Sequence, residues 1–236
     1  MNPSKSWRKS ILACCLAAGV SIAICGSVQA QESAPQTSPE GMQLQDSKEA
    51  RLVYLMPGAN FDKFDSVLIR DVLVEFAKDW QSDFNQDATG VRGRVTSQDM
   101  DRMKTKVAAK FKEVFSEELQ KNNGYQVVDE ATPTTLILRP AILNLQVTAP
   151  DLQSGNMDIT LVRSAGQMTL YLELWDSSTD SILARIVDSQ ADSGMGGKAL
   201  VSNRASNRVA ADEILKQWAD KLRRNLDAVR ATPDVS

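Results

Sequence analysis

QMTLYLELWDSSTDSILARIVD, residues 167–188, is the stretch whose reading decides the fold. Met168, Leu170, Leu172 and Leu174 alternate with Thr169, Tyr171, Glu173 and Trp175, so one side of an extended chain is apolar and the other mixed. That is the pattern of a half-buried strand. The polar run Asp176-Ser177-Ser178-Thr179-Asp180-Ser181 favours a turn, and Ile182 to Val187 is largely apolar again. The simplest reading is an antiparallel hairpin with a loop longer than two residues, whose apolar face the rest of the chain must cover.

Working outward, strands are expected at Leu52–Met56, closed by Pro57-Gly58, and at Val67–Phe76, where Arg70-Asp71 interrupts the apolar run and marks a bulge or a polar contact. Ala77 to Val95 reads as long, polar and irregular, anchored by Trp80 and Phe84. Thr96-Ser97 followed by Gln98-Asp99 is a helix start. Met100, Met103, Val107, Phe111, Val114 and Phe115 give that helix one apolar stripe, and Asn123-Gly124 ends it. Short strands are expected at Tyr125–Val128 and Met157–Val162. A longer one, Leu136–Thr148, places Ile137, Ala141, Leu143, Leu145 and Val147 on one face and is bulged or at an edge near Pro140. A closing helix, 206–229, buries Ala211, Leu215, Trp218, Leu222 and Leu226. Lys216, Lys221, Arg223, Arg224 and Arg230 read as its solvated, dipole-favoured end, whereas Arg204 and Arg208 near its start fit packing or an anionic partner. The fold class is therefore α/β in the α+β sense: a single mixed, mostly antiparallel sheet covered by two main helices.

The ends of the chain have a different character. Lys5, Arg8 and Lys9 precede the apolar run Ile11–Cys25 and the small-residue segment Gly26-Ser27-Val28-Gln29-Ala30, the composition of a secretory signal peptide over residues 1–30, cleaved after Ala30. The run is shorter than the roughly 20 residues a transmembrane helix needs, so no membrane span is expected in the mature chain. Lipid anchoring through Cys25 is the alternative, although Ile24 is large for the residue before a lipidated cysteine. Residues 31–50, rich in Gln, Ser and Pro, are expected to be a disordered linker, residues 51–230 a single domain and 231–236 a disordered tail.

All three cysteines, Cys14, Cys15 and Cys25, lie in the leader, and there is no histidine anywhere. Thiolate nucleophiles, imidazole-based zinc sites and histidine triads are thereby excluded from the mature chain. Removing Lys5, Arg8 and Lys9 from 27 basic and 30 acidic side chains leaves 24 against 30, a net charge of −6, which argues against nucleic acid as a partner. Gly194-Met195-Gly196-Gly197-Lys198-Ala199 is not a phosphate loop, because Asp192 stands where a glycine is needed and Ala199 where a hydroxyl is needed. Asp176–Asp180 lacks the ligand order of an EF-hand. No catalytic, cofactor or metal site is assigned. Arg70, Asp71, Lys78, Asp79, Trp80 and Arg139, on or beside apolar strands, are the polar positions to watch, with ion pairs closing the sheet edge as their structural reading.

Several short motifs in order, Pro57-Gly58-Ala59-Asn60-Phe61, Lys78-Asp79-Trp80, Val147-Thr148-Ala149-Pro150-Asp151, Ser164-Ala165-Gly166-Gln167-Met168-Thr169-Leu170, Asp176-Ser177 with Thr179, Ala184-Arg185, Asn207-Arg208 and Trp218-Ala219, resemble the bacterial family called domain of unknown function 3313. The resemblance runs from Leu52 to Leu226. It implies an exported or lipid-anchored envelope protein and carries over no activity or catalytic residue. The expectation is thus a periplasmic, non-catalytic binding or envelope-assembly module whose partner is an envelope protein, glycan or lipid. The alternatives are a carboxylate-dependent hydrolase of envelope glycan and a scaffold self-associating through an edge near Pro140.

Overall fold

The computed structural model describes residues 34–87, 94–147, 167–191 and 204–230, with the side chains of 87, 167, 191 and 204–211 outside that description. In chain order the elements are β1 (Gln43–Gln45), β2 (Leu52–Leu55), β3 (Ser66–Ile69), β4 (Leu73–Phe76), α1 (Trp80–Asp87), α2 (Ser97–Gln120), β5 (Gln126–Val127), β6 (Thr135–Leu145), β7 (Gln167–Asp176), β8 (Ser181–Ala191) and α3 (Arg204–Arg230). The eight strands form one sheet in the order β1-β2-β8-β7-β6-β3-β5, with β4 also on β6. It is mixed and mostly antiparallel, since only β3 and β4 against β6, and β3 against β5, run parallel.

The central hairpin follows from its alternation. Met168, Leu170, Leu172 and Leu174 are all buried, and β7 pairs along its whole length with β8 across the loop 177–180. Beside it, β6 joins β7 on one side and β3 and β4 on the other. The three residues between Ile69 and Leu73 oppose the two between Leu138 and Ala141, which is the bulge that Arg70-Asp71 marked. Arg70 N donates to the Leu138 carbonyl at 2.9 Å. Backbone groups two residues on point the same way along a strand, so the missing N–H of Pro140 faces this break, where no ladder bond is lost. Pro140 is therefore inside the sheet. β6 is flanked there by β7 on one side and by β3 and β4 on the other, so Pro140 is not itself at an edge, and the outer strands of the sheet are β1, β5 and the short β4.

Three local readings differ from the structure. The face expected for β6 holds Ile137, Ala141 and Leu143, but Asn144 sits at φ +54° and adds one residue to the alternation, so Leu145 and Val147 turn to the opposite side and join Leu136, Leu138 and Ile142 in the core. The 77–95 segment is not wholly irregular: α1 forms there, and Trp80 stacks between Phe76 at 4.5 Å and Phe84 at 5.5 Å. Residues 34–50, expected as a disordered linker, return along the sheet edge. Gly41, at φ +89°, closes a turn in which Ser38 N bonds the Met42 carbonyl at 2.8 Å, and β1 then pairs with β2. Met42 is fully buried beside Tyr54 and Ile182, which supplies the burial the polar composition concealed. The expected strand 157–162, the segment 193–199 and the tail 231–236 lie outside the described residues.

Both long helices cover the face that carries Leu170, Leu172 and Leu174, and their apolar stripes merge with it in one core. Thr96 caps α2 in a reciprocal box with Asp99. At the other end Asn122 and Asn123, both left-handed, turn the chain. Arg223 of α3 then donates from Nη1 to the carbonyls of Leu119 and Lys121, each at 2.8 Å, beside the bonds these oxygens accept from Tyr125 N and Gly124 N. Arg223 is thus not part of a solvated face. Gly124 leaves room for it, because a Cβ there would overlap Arg223 Nη1 and the Leu119 carbonyl. Among the described residues no helix is long and apolar enough to cross a membrane.

Candidate functional site

The two apolar faces that the sequence assigns to the hairpin and to the closing helix do not close completely on one another. Between them lies a cavity of about 180 Å³. Leu170, Leu172 and Leu174 of β7, Ala184 and Ile186 of β8, and Val53 and Leu55 of β2 form its floor, and Trp218, Leu222, Leu226 and Val229 of α3 form its roof. Trp218 to Val229 spans about 16 Å of helix, and Leu170 to Leu174 about 13 Å of strand.

Most of its polar groups lie toward one end, with Asn225 of α3 also on the lining. There Asp188, which pairs across the hairpin with Leu170, is only 7% exposed. The Trp218 indole N–H donates to Asp188 Oδ2 at 2.8 Å, and the Arg51 backbone N–H to Oδ1 at 3.2 Å. Lys221 Nζ donates to the Glu49 carbonyl at 2.6 Å and lies 3.8 Å from Asp188 Oδ2. Ser47 Oγ accepts from the backbone of Glu49 and Ala50, and Arg224 reaches the Glu49 carboxylate at 3.5 Å. The strap Ser47–Arg51 is therefore fastened across this end by α3. The opposite end, around Leu174, Leu55, Phe61 and Val229, is hydrocarbon.

The pocket is partly open to solvent and most of its walls are aliphatic, so water inside it meets few polar partners.

The watched polar residues are not brought together. Asp71 pairs with Lys112 of α2 at 2.8 Å at the surface, Lys78 and Asp79 are exposed, and Trp80 is a core anchor. Arg139 lies 3.9 Å above the Trp175 ring and pairs with Asp180 at 3.2 Å, on the face away from the helices. On that face Arg185 bridges Glu173 at 2.9 Å and Glu40 at 3.0 Å, fastening the 34–45 segment to the sheet. Arg185, with help from Ser38, holds the Glu40 carboxyl down at about 2, and burial together with the bond to Glu173 pushes the Tyr171 phenol up to about 12. These are structural pairings. Arg204 and Arg208 open α3, and their side chains lie outside the described residues. The residues around the cavity were read from the sequence only as core, and Lys221 only as part of a charged helix end; Asp188 and the strap carried no signal.

A mixed sheet with two long helices on one face and a largely apolar cavity beneath the second defines an α+β domain. The chain belongs to the family described as Protein of unknown function (DUF3313), whose model matches residues 36–222. No curated protein matches it. Among solved structures it is similar to the PelC dodecamer from Paraburkholderia phytofirmans, at 11% identity and a TM-score of 0.34, covering 70% of this chain and 96% of that one. It is also similar to a Xanthomonas campestris protein, at 12% identity and a TM-score of 0.34, covering 73% of this chain and 89% of that one.

Proposed function

We propose that this protein is an exported, non-catalytic binding module of the cell envelope that holds an apolar ligand between its sheet and α3. The observation that carries the reading is the cavity of about 180 Å³ between sheet and helix, with predominantly hydrocarbon walls. Export is supported by the basic, apolar and small-residue order of the first 30 residues, which favours a periplasmic protein cut after Ala30 over one anchored through Cys25. The carboxylate-hydrolase alternative has less support. The cavity's two carboxyls, Glu49 and Asp188, sit at the same end, and Asp188 already accepts from Trp218 and Arg51.

Titration of the purified protein with N-phenyl-1-naphthylamine, an uncharged dye that fluoresces in apolar surroundings, tests the reading. Saturable binding of one dye per chain, displaced by a medium-chain alcohol, is the expected result. A linear, unsaturable response would overturn it.

A further inference from the structure

The charges at the polar end of the cavity are paired with one another, and the lining carries a separate neutral group that is not fully engaged. We propose that the ligand is an uncharged, mainly apolar molecule bearing a hydroxyl, and that Asn225 selects it by accepting from that hydroxyl through its amide oxygen. This rests on the binding reading above.

The charged groups decide what the site refuses. Lys221 lies 3.8 Å from Asp188 Oδ2 and donates to the Glu49 carbonyl, while Arg224 pairs with Asp220 at 3.1 Å and with the Glu49 carboxylate at 3.5 Å. Glu49, Asp188 and Asp220 thus stand against Lys221 and Arg224, and an anion entering here meets no unpaired cation. An ammonium fares little better. It must displace a cation from an existing pair and give up part of its own hydration against aliphatic walls, and the excess negative charge rests on Glu49 and Asp220, whose side chains are 46% and 55% exposed and screened by water.

Asn225 lies one turn beyond Lys221 on α3 and lines the same cavity. Its Nδ2 donates to the Lys221 carbonyl at 2.7 Å, so the donor side of the amide is engaged within the helix. No donor among the described residues bonds to its Oδ1. Asn225 is exposed, so this oxygen stands where solvent and the aliphatic lining of Leu222, Leu226 and Ile186 meet. A hydroxyl placed there makes the bond that water otherwise makes and leaves the rest of the molecule against hydrocarbon. An ether or ketone of the same size brings a second acceptor and no donor, so it displaces the water without replacing the bond.

The test compares decanol with methyl nonyl ether and menthol with menthone as competitors of N-phenyl-1-naphthylamine, an extended pair and a compact pair in which only the alcohol can donate. In each pair that displaces the dye, the alcohol is expected to bind about fivefold more tightly. Decanoate and decylammonium at pH 7.5, below their micelle concentrations, should bind about tenfold more weakly than decanol. Asn225→Leu should bring the ratio within a pair to about one, and Asn225→Asp, which keeps an acceptor, should hold it above one; both competitors are read against the same dye, so a change in dye affinity cancels. An alcohol bound no better than its partner by the wild type, a preference that survives Asn225→Leu, a charged competitor tighter than decanol, or a dye that none of these molecules displaces would overturn the inference. Any of those results with saturable dye binding removes the hydroxyl reading alone; absence of saturable dye binding removes the cavity reading itself.

Discussion

Replacing Asp188 should show what fastens α3 to the sheet edge and the strap. The carboxylate accepts a 2.8 Å bond from the buried Trp218 indole and a 3.2 Å bond from Arg51 N, with Lys221 3.8 Å away. In Asp188→Ala the Arg51 amide, on an exposed residue, recovers water, but the indole N–H is left buried without an acceptor. Loss of a bond to a charged acceptor is worth about 1.5–3 kcal/mol and an orphaned buried donor about 1–3 kcal/mol, overlapping quantities that place the variant about 3 kcal/mol below wild type. Asp188→Asn keeps an oxygen for Trp218 while giving up the charge, and should cost about 1–2 kcal/mol. Urea unfolding followed by tryptophan fluorescence and by far-ultraviolet circular dichroism measures both, with an unchanged m-value. An Asp188→Ala loss below about 1 kcal/mol, or equal losses for the two variants, would refute the reasoning.

Tyr125→Phe should stabilise the protein by about 1 kcal/mol in the same assay, because the Tyr125 hydroxyl is buried between Arg223 and Arg230 without a hydrogen-bond partner among the described residues. Gly124→Ala should destabilise by about 2 kcal/mol, since the new methyl group must displace the guanidinium that caps α2; a neutral result would count against that cap. Glu40 has its folded value lowered from 4.5 to about 2 by Arg185 and Ser38, so its contribution is complete above pH 4.5 and disappears as pH falls toward 2. Glu40→Gln should accordingly flatten the loss of stability over that interval, and an unchanged acid limb would argue that Arg185 does not fasten the 34–45 segment in solution.

The alternation at Met168–Leu174 and the stripes of α2 and α3 were legible because a continuous face must be buried, and period alone reveals it. Arg70-Asp71 and Pro140 located the bulge for a similar reason: each violates the local rule at the place where β3 gives way to β4. β1 was hidden. Its residues, Gln43, Leu44 and Gln45, have no strand pattern of their own, and the segment is held by distant partners such as Tyr54, Ile182 and Arg185. Asn144 changes the faces of β6 through one positive φ, which polar residues adopt only when the surroundings require it. The cavity left no trace either, since Leu222 or Leu226 is apolar whether it touches the sheet or faces a space above it. Lys221 was read as a helix-end charge because the Glu49 carbonyl it meets is 172 residues away in the chain.

The most direct test of the account is to fill the cavity from its floor and measure N-phenyl-1-naphthylamine binding by fluorescence titration. Ala184, only 2% exposed, lines the space beneath α3, and Ala184→Leu adds three carbons to it. The account predicts that this variant loses the saturable dye binding of the wild type while unfolding at a higher urea concentration, as expected when a void is filled without strain. A folded Ala184→Leu protein that binds the dye with wild-type affinity would contradict it.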